Sequence, residues 1–444
     1  MGILNFTPET KTMADFRSFQ AWRYSPEKVK LTEALAPPYD IITTEGRRRL
    51  YARSSSNCVR LDFNQPEAGD HDRNNPYTRA RDIFQNWKKE GILIQDETPS
   101  FYLYRQGFQD PVKGSRKMRS ALLGRLKLES FESGVVIPHE KTLAKPKEDR
   151  RRLLEAAQAN FSPVFGLVED ASGVLRSNCE KAAGRSRLLE AADEEGVRHE
   201  LWAIQAAEDA EAIRGELSEK KIYIADGHHR YQTAVDYARD MRTSLGLAED
   251  EERPFDFVLT ALAAFEDPGL LLLPTHRIVL PFEGWNAESA LESLKEYFKV
   301  EPIVYLHPSP LPAKGRGQGE GIPLCLKDKF YLLTLRDPSK IRRAMSPGKP
   351  EIWYTLDVNL VGDLILERLW HLPESRWEST LRFTQSRDEA IEQVSRGKAL
   401  AAFLLNAPPV SILRGMGERR ELMPQKSTYF YPKLASGLVF YSHE

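Results

Sequence analysis

The segment Ala225-Asp226-Gly227-His228-His229-Arg230-Tyr231 gathers residue types suited to holding an anion. It follows the apolar run Lys221-Ile222-Tyr223-Ile224, which reads as a strand, and precedes HHRYQTAVDYARDMRTSLG, which reads as a helix. A helix opens with backbone N–H groups that lack intrahelical acceptors, at the positive end of its dipole. Gly227 permits a tight turn and close approach of a ligand to the backbone. Arg230 offers a planar fork of donors matched to phosphate, and His228 and His229 add further donors. Together these parts describe an anion site, with phosphate as the expected group. Asp226, at the strand end, is placed either to cap the helix or to hold Mg²⁺ through water. The plainer alternative is that Asp226 is only a cap and the histidines fill space. Neighbouring histidines point in different directions, so at most one is expected to face a ligand. No HxH or HxxxH spacing or nearby carboxylate pattern completes a zinc set.

Four other segments carry candidate chemistry. In Ile137-Pro138-His139-Glu140-Lys141-Thr142, followed by Lys145 and Lys147, the lysines are suited to polyphosphate and Glu140 to taking a proton; the alternative is a solvated charged loop. Thr275-His276-Arg277 closes an apolar run broken by Pro274, and a His-Arg pair at a strand end can reach an anion. The C-terminal MPQKSTYFYPK sets Lys426, Ser427, Thr428 and Lys433 among aromatics. It reads either as a phosphate- or carboxylate-binding segment or as a strand that packs Tyr429 and Tyr431 on one side and Phe430 on the other. Asp40, behind Pro37-Pro38-Tyr39, is held by stiffened backbone and is a candidate general base or Mg²⁺ ligand; the alternative is an ordinary turn aspartate.

The elements needed to position these residues alternate along the chain. Strand patterns are expected at 57–64, 101–108, 120–131, 162–170, 199–205, 221–226, 330–335 and 399–406. Helix patterns are expected at 76–91, over KPKEDRRRLLEAAQAN, and at 209–220, 228–246, 356–369 and within 383–397. Residues 255–265 are apolar throughout and suit a buried strand or a buried helix equally. PSPLPAKGRGQGEG (308–321) reads as an exposed loop. The fold class is mixed α and β.

Length and composition bound the reading. A chain of 444 residues exceeds what one core usually serves, so two regions are expected, 1–280 and 281–444, the last segment of the second returning to the site. A net charge of -1 gives no general pull toward nucleic acid or anionic membrane. Cys58, Cys179 and Cys325 are dispersed, odd in number and free of CxxC spacing, as in a reducing compartment. The start, MGILNFTPETKTMADFR, lacks a secretory pattern, and Phe6 stands where myristoylation wants Ser or Thr. No apolar run approaches the ~20 residues of a membrane span. A cytoplasmic protein is expected; the oligomeric state stays open.

Several long motifs carry a resemblance. APPYDII, IPHEKTLAKPKEDRRRLLEA, ADGHHRYQTA, LPTHRIV and MPQKSTYFYPK occur in order over almost the whole chain. They resemble an uncharacterised bacterial and archaeal family, domain of unknown function 1015. More distantly, a strand followed by a DGHxR-like box and a helix is similar to the phosphate-binding box of the ParB/sulfiredoxin-like superfamily. That superfamily includes the CTP-binding partition protein, ATP-dependent sulfiredoxin and an ADP-dependent free-serine kinase. The kinase's DGHTR box matches Asp226, Gly227, His228, His229 and Arg230, departing at His229. His228 stands where sulfiredoxin carries its catalytic cysteine, which removes the nucleophile for sulfinic-acid reduction. No helix-turn-helix pattern follows the box, which disfavours chromosome partitioning.

The resemblance implies a ParB/sulfiredoxin-like core with a C-terminal α+β extension. It also implies a nucleotide-dependent phosphotransferase acting on a small hydroxylated metabolite such as an amino acid. ATP or ADP, or else CTP, would be the nucleotide, with Mg²⁺ at Asp226. Gly227, His228, His229 and Arg230 would hold phosphates, with Lys141, His276, Arg277, Lys426, Ser427, Thr428 and Lys433 assisting. Asp40, Glu140 or His228 would act in catalysis. A nucleotide-binding switch without turnover and a ParB-like nuclease are the alternatives.

Overall fold

The computed structural model describes residues 14–140, 144–304, 321–327 and 329–444. They fall into two compact units. Unit 1 draws on Met1–Pro138, Thr142–Leu270 and Pro432–Glu444; unit 2 draws on His139–Lys141 and Leu271–Tyr431. The architecture is mixed α+β.

Unit 1 is built on a nine-stranded sheet. Its strands are β1 (Phe16–Arg17), β2 (Phe101–Gln109), β3 (Arg116–Lys127), β4 (Val136–Ile137), β5 (Val164–Val168), β6 (Leu189–Ala192), β7 (Arg198–Ile204), β8 (Ile222–Asp226) and β9 (Phe257–Ala264). The order is β4-β8-β5-β9-β3-β2-β7-β6, with β1 paired to β3. Most neighbours are antiparallel; β8 runs parallel to β4, and β9 parallel to β5. The uniformly apolar stretch near 255–265 is thus strand, buried on both faces as a continuous apolar run in mid-sheet requires. Gly166 in β5 lies where neighbours converge, since a Cβ there would come within 2.7 Å of Leu262 and 2.9 Å of Ile222.

The helices of unit 1 include α1 (Pro76–Lys89), α2 (Ala144–Ala157), α3 (Val174–Ala183), α4 (Ala207–Ser218) and α5 (His228–Leu245). Asn75 accepts the Tyr77 and Thr78 N–H groups and Pro76 opens the first turn, so α1 begins where its sequence places it. Leu175, Cys179, Ile213, Leu217, Tyr231 and Ala234 from α3, α4 and α5 share a core with Leu103, Leu122, Val164, Ile222 and Leu262 of the sheet.

Residues 57–64 correct the strand expectation: Val59–Asp62 form a short helix. Asn57 donates to the Glu33 and Leu35 carbonyls and accepts the Val59 N–H. That side chain satisfies backbone groups locally, in competition with a strand ladder. Cys58, Val59 and Leu61 are all buried, so the alternation in the letters is not an alternation of faces.

Pro432–Glu444 forms a strap held by unit 1 along its length. Ser436 exchanges backbone hydrogen bonds with Ala36, Phe440 with Trp22, and Tyr441 pairs with Asn160. The Phe440 ring is fully buried among Tyr24, Phe84 and Phe161, at centroid distances of 5.6, 6.1 and 5.9 Å.

Unit 2 carries a six-stranded antiparallel sheet of β10 (His276–Val279), β11 (Phe298–Ile303), β12 (Ile322–Leu326), β13 (Lys329–Leu335), β14 (Leu381–Thr384) and β15 (Ala401–Phe403). The order is β11-β13-β12-β15-β10-β14. β10, which lies in the stretch read as the end of the first region, therefore pairs within unit 2. The predicted loop at 308–321 lies, up to residue 320, outside the described residues. MPQKSTYFYPK is not a strand: a turn at Gln425-Lys426, with Lys426 at φ 55°, breaks it, and Phe430 rather than the tyrosines is fully buried. Among the described residues no helix is long and apolar enough to cross a membrane, and no group of three or more His, Cys, Asp or Glu could hold a metal. All three cysteines are buried.

Two outcomes follow from the strap. Phe440→Ala is expected to cost about 3–5 kcal/mol, the range for emptying a buried aromatic site, read as a lower urea midpoint. His443 lies against Tyr237 and Tyr441 with neither ring nitrogen hydrogen-bonded, and burial pushes its pKa down to about 4. The unfolded chain takes up this proton near pH 6.5 and the folded chain only near 4. The contribution is therefore full above 6.5 and is lost as pH falls through that window, by roughly 1.4 kcal/mol per pH unit. Stability curves against pH should be flatter between 6.5 and 4 for His443→Phe than for the parent; parallel curves would contradict the assignment.

Candidate functional site

The segment Asp226–Arg230 forms the expected strand, turn and helix. β8 buries Ile222 and Ile224, and its pairing with β5 shifts register between Ile224 and Asp226. Such a bulge re-aims a side chain at the strand end. Gly227 then takes φ 88°, ψ 26°, a left-handed conformation that glycine adopts without strain. α5 starts at His228, and its N-cap residue, Gly227, has no side chain with which to cap it. Asp226 is thus not the cap. It precedes the N-cap position, and its Oδ1 accepts the Gly227 N–H at 2.9 Å.

Two cations meet the other carboxylate oxygen. Lys433 Nζ donates to Asp226 Oδ2 at 3.1 Å, and Arg230 Nη2 lies 3.9 Å from the same atom. These side chains are largely shielded, with 10% of Lys433, 12% of Arg230 and 19% of Asp226 exposed. Arg230 also donates to the Pro163 carbonyl and folds back over the turn, so that a Cβ on Gly227 would meet its guanidinium at 3.0–3.1 Å. His228 is buried and His229 partly so.

Lys433 is held in place from below. Gln106 on β2 donates to the Lys433 carbonyl at 2.9 Å. Arg119 on β3, directly across from Gln106, donates to the Gln106 side-chain oxygen and to the Pro432 carbonyl. Arg119 is 1% exposed and stacks 4.9 Å over Phe165; burial lowers its pKa to about 10, which leaves it charged at neutral pH.

Asp40 is exposed on the turn Tyr39–Ile41 that follows the two prolines. The Tyr39 ring covers the buried Arg150 guanidinium at 3.7 Å. Burial raises the Tyr39 hydroxyl to about 12, Arg150 and Arg230 pull it down and Asp40 pushes it up, so these groups share one electrostatic neighbourhood. Arg150 donates to Asp62 at 3.1 Å, and Asp62 in turn accepts from Ser436 of the strap. Arg150, Asp62, Ser162, Arg230 and Thr233 line a small cavity of about 40 Å³, room for roughly one water.

The remaining candidates belong to unit 2. Glu140 Oε1 accepts the Ser427 and Thr428 N–H groups at 3.0 Å and the Thr428 hydroxyl at 3.1 Å. His139 Nε2 is 2.8 Å from that hydroxyl. Arg277 is buried, donates to the Thr275 carbonyl at 2.6 Å and lies over the Phe383 ring; burial lowers its pKa to about 10. His276 Nδ1 accepts the Leu405 N–H, and burial, with Arg387 and Arg277, pushes it down to about 3. It is therefore neutral at physiological pH. Lys426 is exposed and Ser427 buried. Lys141 lies outside the described residues. The sequence-predicted set thus divides into Asp40, Asp226–Arg230 and Lys433 in unit 1 and Glu140, His276, Arg277 and Lys426–Thr428 in unit 2. Gln106, Arg119, Asp62 and Arg150 were not singled out from sequence. Only Arg150 stood within a conspicuous motif, the charged run KPKEDRRRLLEA.

The profile of a family described as a protein of unknown function, DUF1015, matches residues 16–359. No curated protein matches the chain. Among solved structures it is similar to a free serine kinase in complex with AMP, at 13% identity over 68% of this chain and 89% of that one, with a TM-score of 0.34. It is similar to a conserved hypothetical protein from Pyrococcus furiosus, at 13% identity over 69% and 91% of the two chains, TM-score 0.33. A third is SbnI with a C-terminal truncation from Staphylococcus aureus, at 10% identity over 69% and 83%, TM-score 0.31.

The anchorage of Lys433 has a measurable consequence. Gln106→Ala removes one of two side chains that grip the 432–433 backbone and should cost about 1–3 kcal/mol. Hydrogen exchange at the Ala435 and Ser436 amides, held by Tyr104 and Ala36, should quicken beyond the change in global stability. Unaltered exchange there would show that the strap is held without Gln106.

Proposed function

The chain belongs to this family of unknown function, and we propose that it is a nucleotide-dependent phosphotransferase whose phosphate site is the turn at Gly227. One observation carries the reading: two cations, Arg230 and Lys433, converge on a single carboxylate at the mouth of a helix whose N-cap is glycine. A polyphosphate entering there meets the helix dipole and draws both cations toward itself. Asp226, relieved of its partners, is then positioned to bind Mg²⁺. A single carboxylate does not make a metal site by itself. It fits a Mg²⁺ that arrives on the nucleotide, since this ion usually takes one or two carboxylates with phosphate oxygens and water.

Asp40 is the proposed base toward a substrate hydroxyl, being an exposed carboxylate electrostatically linked to Arg230 through Tyr39. Glu140, an acceptor for three donors, is assigned to holding the 427–428 loop, because hydrogen bonds to a carboxylate stabilise its charge and weaken it as a base. ATP or ADP is the proposed nucleotide, and a small hydroxylated metabolite such as an amino acid the acceptor.

Calorimetric titration with ATP, ADP and CTP in the presence of Mg²⁺ tests the site, followed by assays of ADP or AMP release with a panel of hydroxy amino acids. Arg230→Ala should weaken nucleotide binding by ~1.5–3 kcal/mol, the range for charge-assisted hydrogen bonds. Lys433→Ala should act in the same direction. Binding without turnover for any acceptor would replace the enzyme by a nucleotide-binding switch. Unchanged affinity in a folded Arg230→Ala protein would remove the phosphate site altogether.

A further inference from the structure

One cavity of unit 1 lies away from the Gly227 turn. It measures about 230 Å³ and opens between α3 and the strands β2, β3 and β9. Side chains alternate along a strand, so Ser120 and Leu122 face the side of the sheet opposite Arg119. The cavity therefore stands across the sheet from the residues that hold Lys433.

Its walls are apolar. Leu122 and Leu262 rise from the sheet, and Leu175 and Cys179 descend from α3. All four are buried, and burial raises the Cys179 thiol to about 12, so it adds no charge. Close-packed interiors leave few voids of this size, and an apolar cavity of about 150 Å³ already accepts benzene.

The rim carries two cations. Arg105 from β2 and Arg176 from α3 both line the cavity. Most arginines of unit 1 are ion-paired, but these two have no ion pair among the described residues. Arg105 Nε reaches only the Ser120 hydroxyl, at 3.3 Å, and its guanidinium lies 5.6 Å from the Trp202 ring centroid. Two acids also line the space. Asp267 is committed to backbone, accepting the Ser120 N–H at 2.9 Å and the Gly269 N–H at 2.7 Å. Glu180 is exposed on α3. Asp267 also feels the Arg176 charge, so the lining carries two guanidinium groups against two carboxylates, and the arginines stand out by making no direct ion pair among the described residues.

We propose that this cavity is a second ligand site, for a small organic monocarboxylate with a compact ring or branched aliphatic body. The apolar part fills the space between Leu122, Leu175 and Leu262, and the carboxylate meets Arg105 and Arg176, whose forked donors match its two oxygens. The assignment is independent of the nucleotide reading.

Titration of the full chain with phenylacetate, phenylacetamide and phenethylamine, by calorimetry and by protein-observed NMR, tests it. Phenylacetate should bind at least about tenfold more tightly than the neutral amide, and the amine should not bind. Arg176→Gln, at an exposed position that does not endanger folding, should weaken phenylacetate by about tenfold. Ala264→Leu, which fills the cavity, should abolish binding while nucleotide titrations stay as in the parent. The proposal is overturned if phenylacetate fails to bind the parent, if the amide binds equally well, or if binding survives either substitution unchanged.

Discussion

The meeting of Lys433 with Asp226 is the interaction on which the arrangement in unit 1 depends. It joins residues 207 positions apart, and each is brought there by a different device. A bulge and a left-handed glycine aim Asp226. A buried Arg119–Gln106 pair grips the backbone on either side of the Pro432–Lys433 peptide. An exposed lysine–carboxylate pair is worth little, because solvent screens it and the lysine stem loses freedom. Here both groups are largely shielded and the stem begins from fixed backbone, so the entropy of placing the ammonium is already spent in folding the strap. A second tie, from Ser436 to Asp62 and thence to Arg150 and Tyr39, fixes the same strap close by in sequence. The turn carrying Asp40 and the strap carrying Lys433 are thereby joined by hydrogen bonds and one guanidinium–ring contact.

What could be read from the letters was the part of this set by local rules. KIYIADGHHR declares a strand, a glycine turn and a helix within ten residues, and each rule acts over a few residues. Lys433 was singled out as a member of the motif that also holds Lys426, Ser427 and Thr428, yet its partner is Asp226, and the two hydroxyl residues belong to a loop closed on Glu140 in unit 2. The sequence placed them in one motif because they are adjacent in the chain, whereas the fold separates them at Pro432. Arg119 and Gln106 were invisible for a related reason. Each stands among other polar residues, Arg105 beside Gln106 and Lys117 and Ser120 near Arg119, where the default is an outward, solvated position. Only the pairing of β2 with β3 puts them opposite one another under the strap. The misreading of 57–64 has the same root: Asn57 satisfies the backbone by reaching residues 33 and 35, which no local pattern announces.

The two faces of the unit 1 sheet treat charge differently, and this bears on what each can bind. Around the Lys433–Asp226 pair the cations are satisfied internally, by Gln106, Pro432, Asp226, Asp62 and Pro163. An anion arriving there must compete with carboxylates and carbonyls already in place. Binding is then selective for ligands of high charge density, such as polyphosphate, because a weak anion cannot repay the broken contacts. On the Leu122 face the walls are largely apolar and Arg105 and Arg176 make no direct ion pair among the described residues. A ligand there gains from apolar burial and needs only one modest negative charge to complete the rim. Opposite sides of one sheet are thus suited to opposite kinds of anion, and β3 contributes to both through consecutive residues, Arg119 to one face and Ser120 to the other.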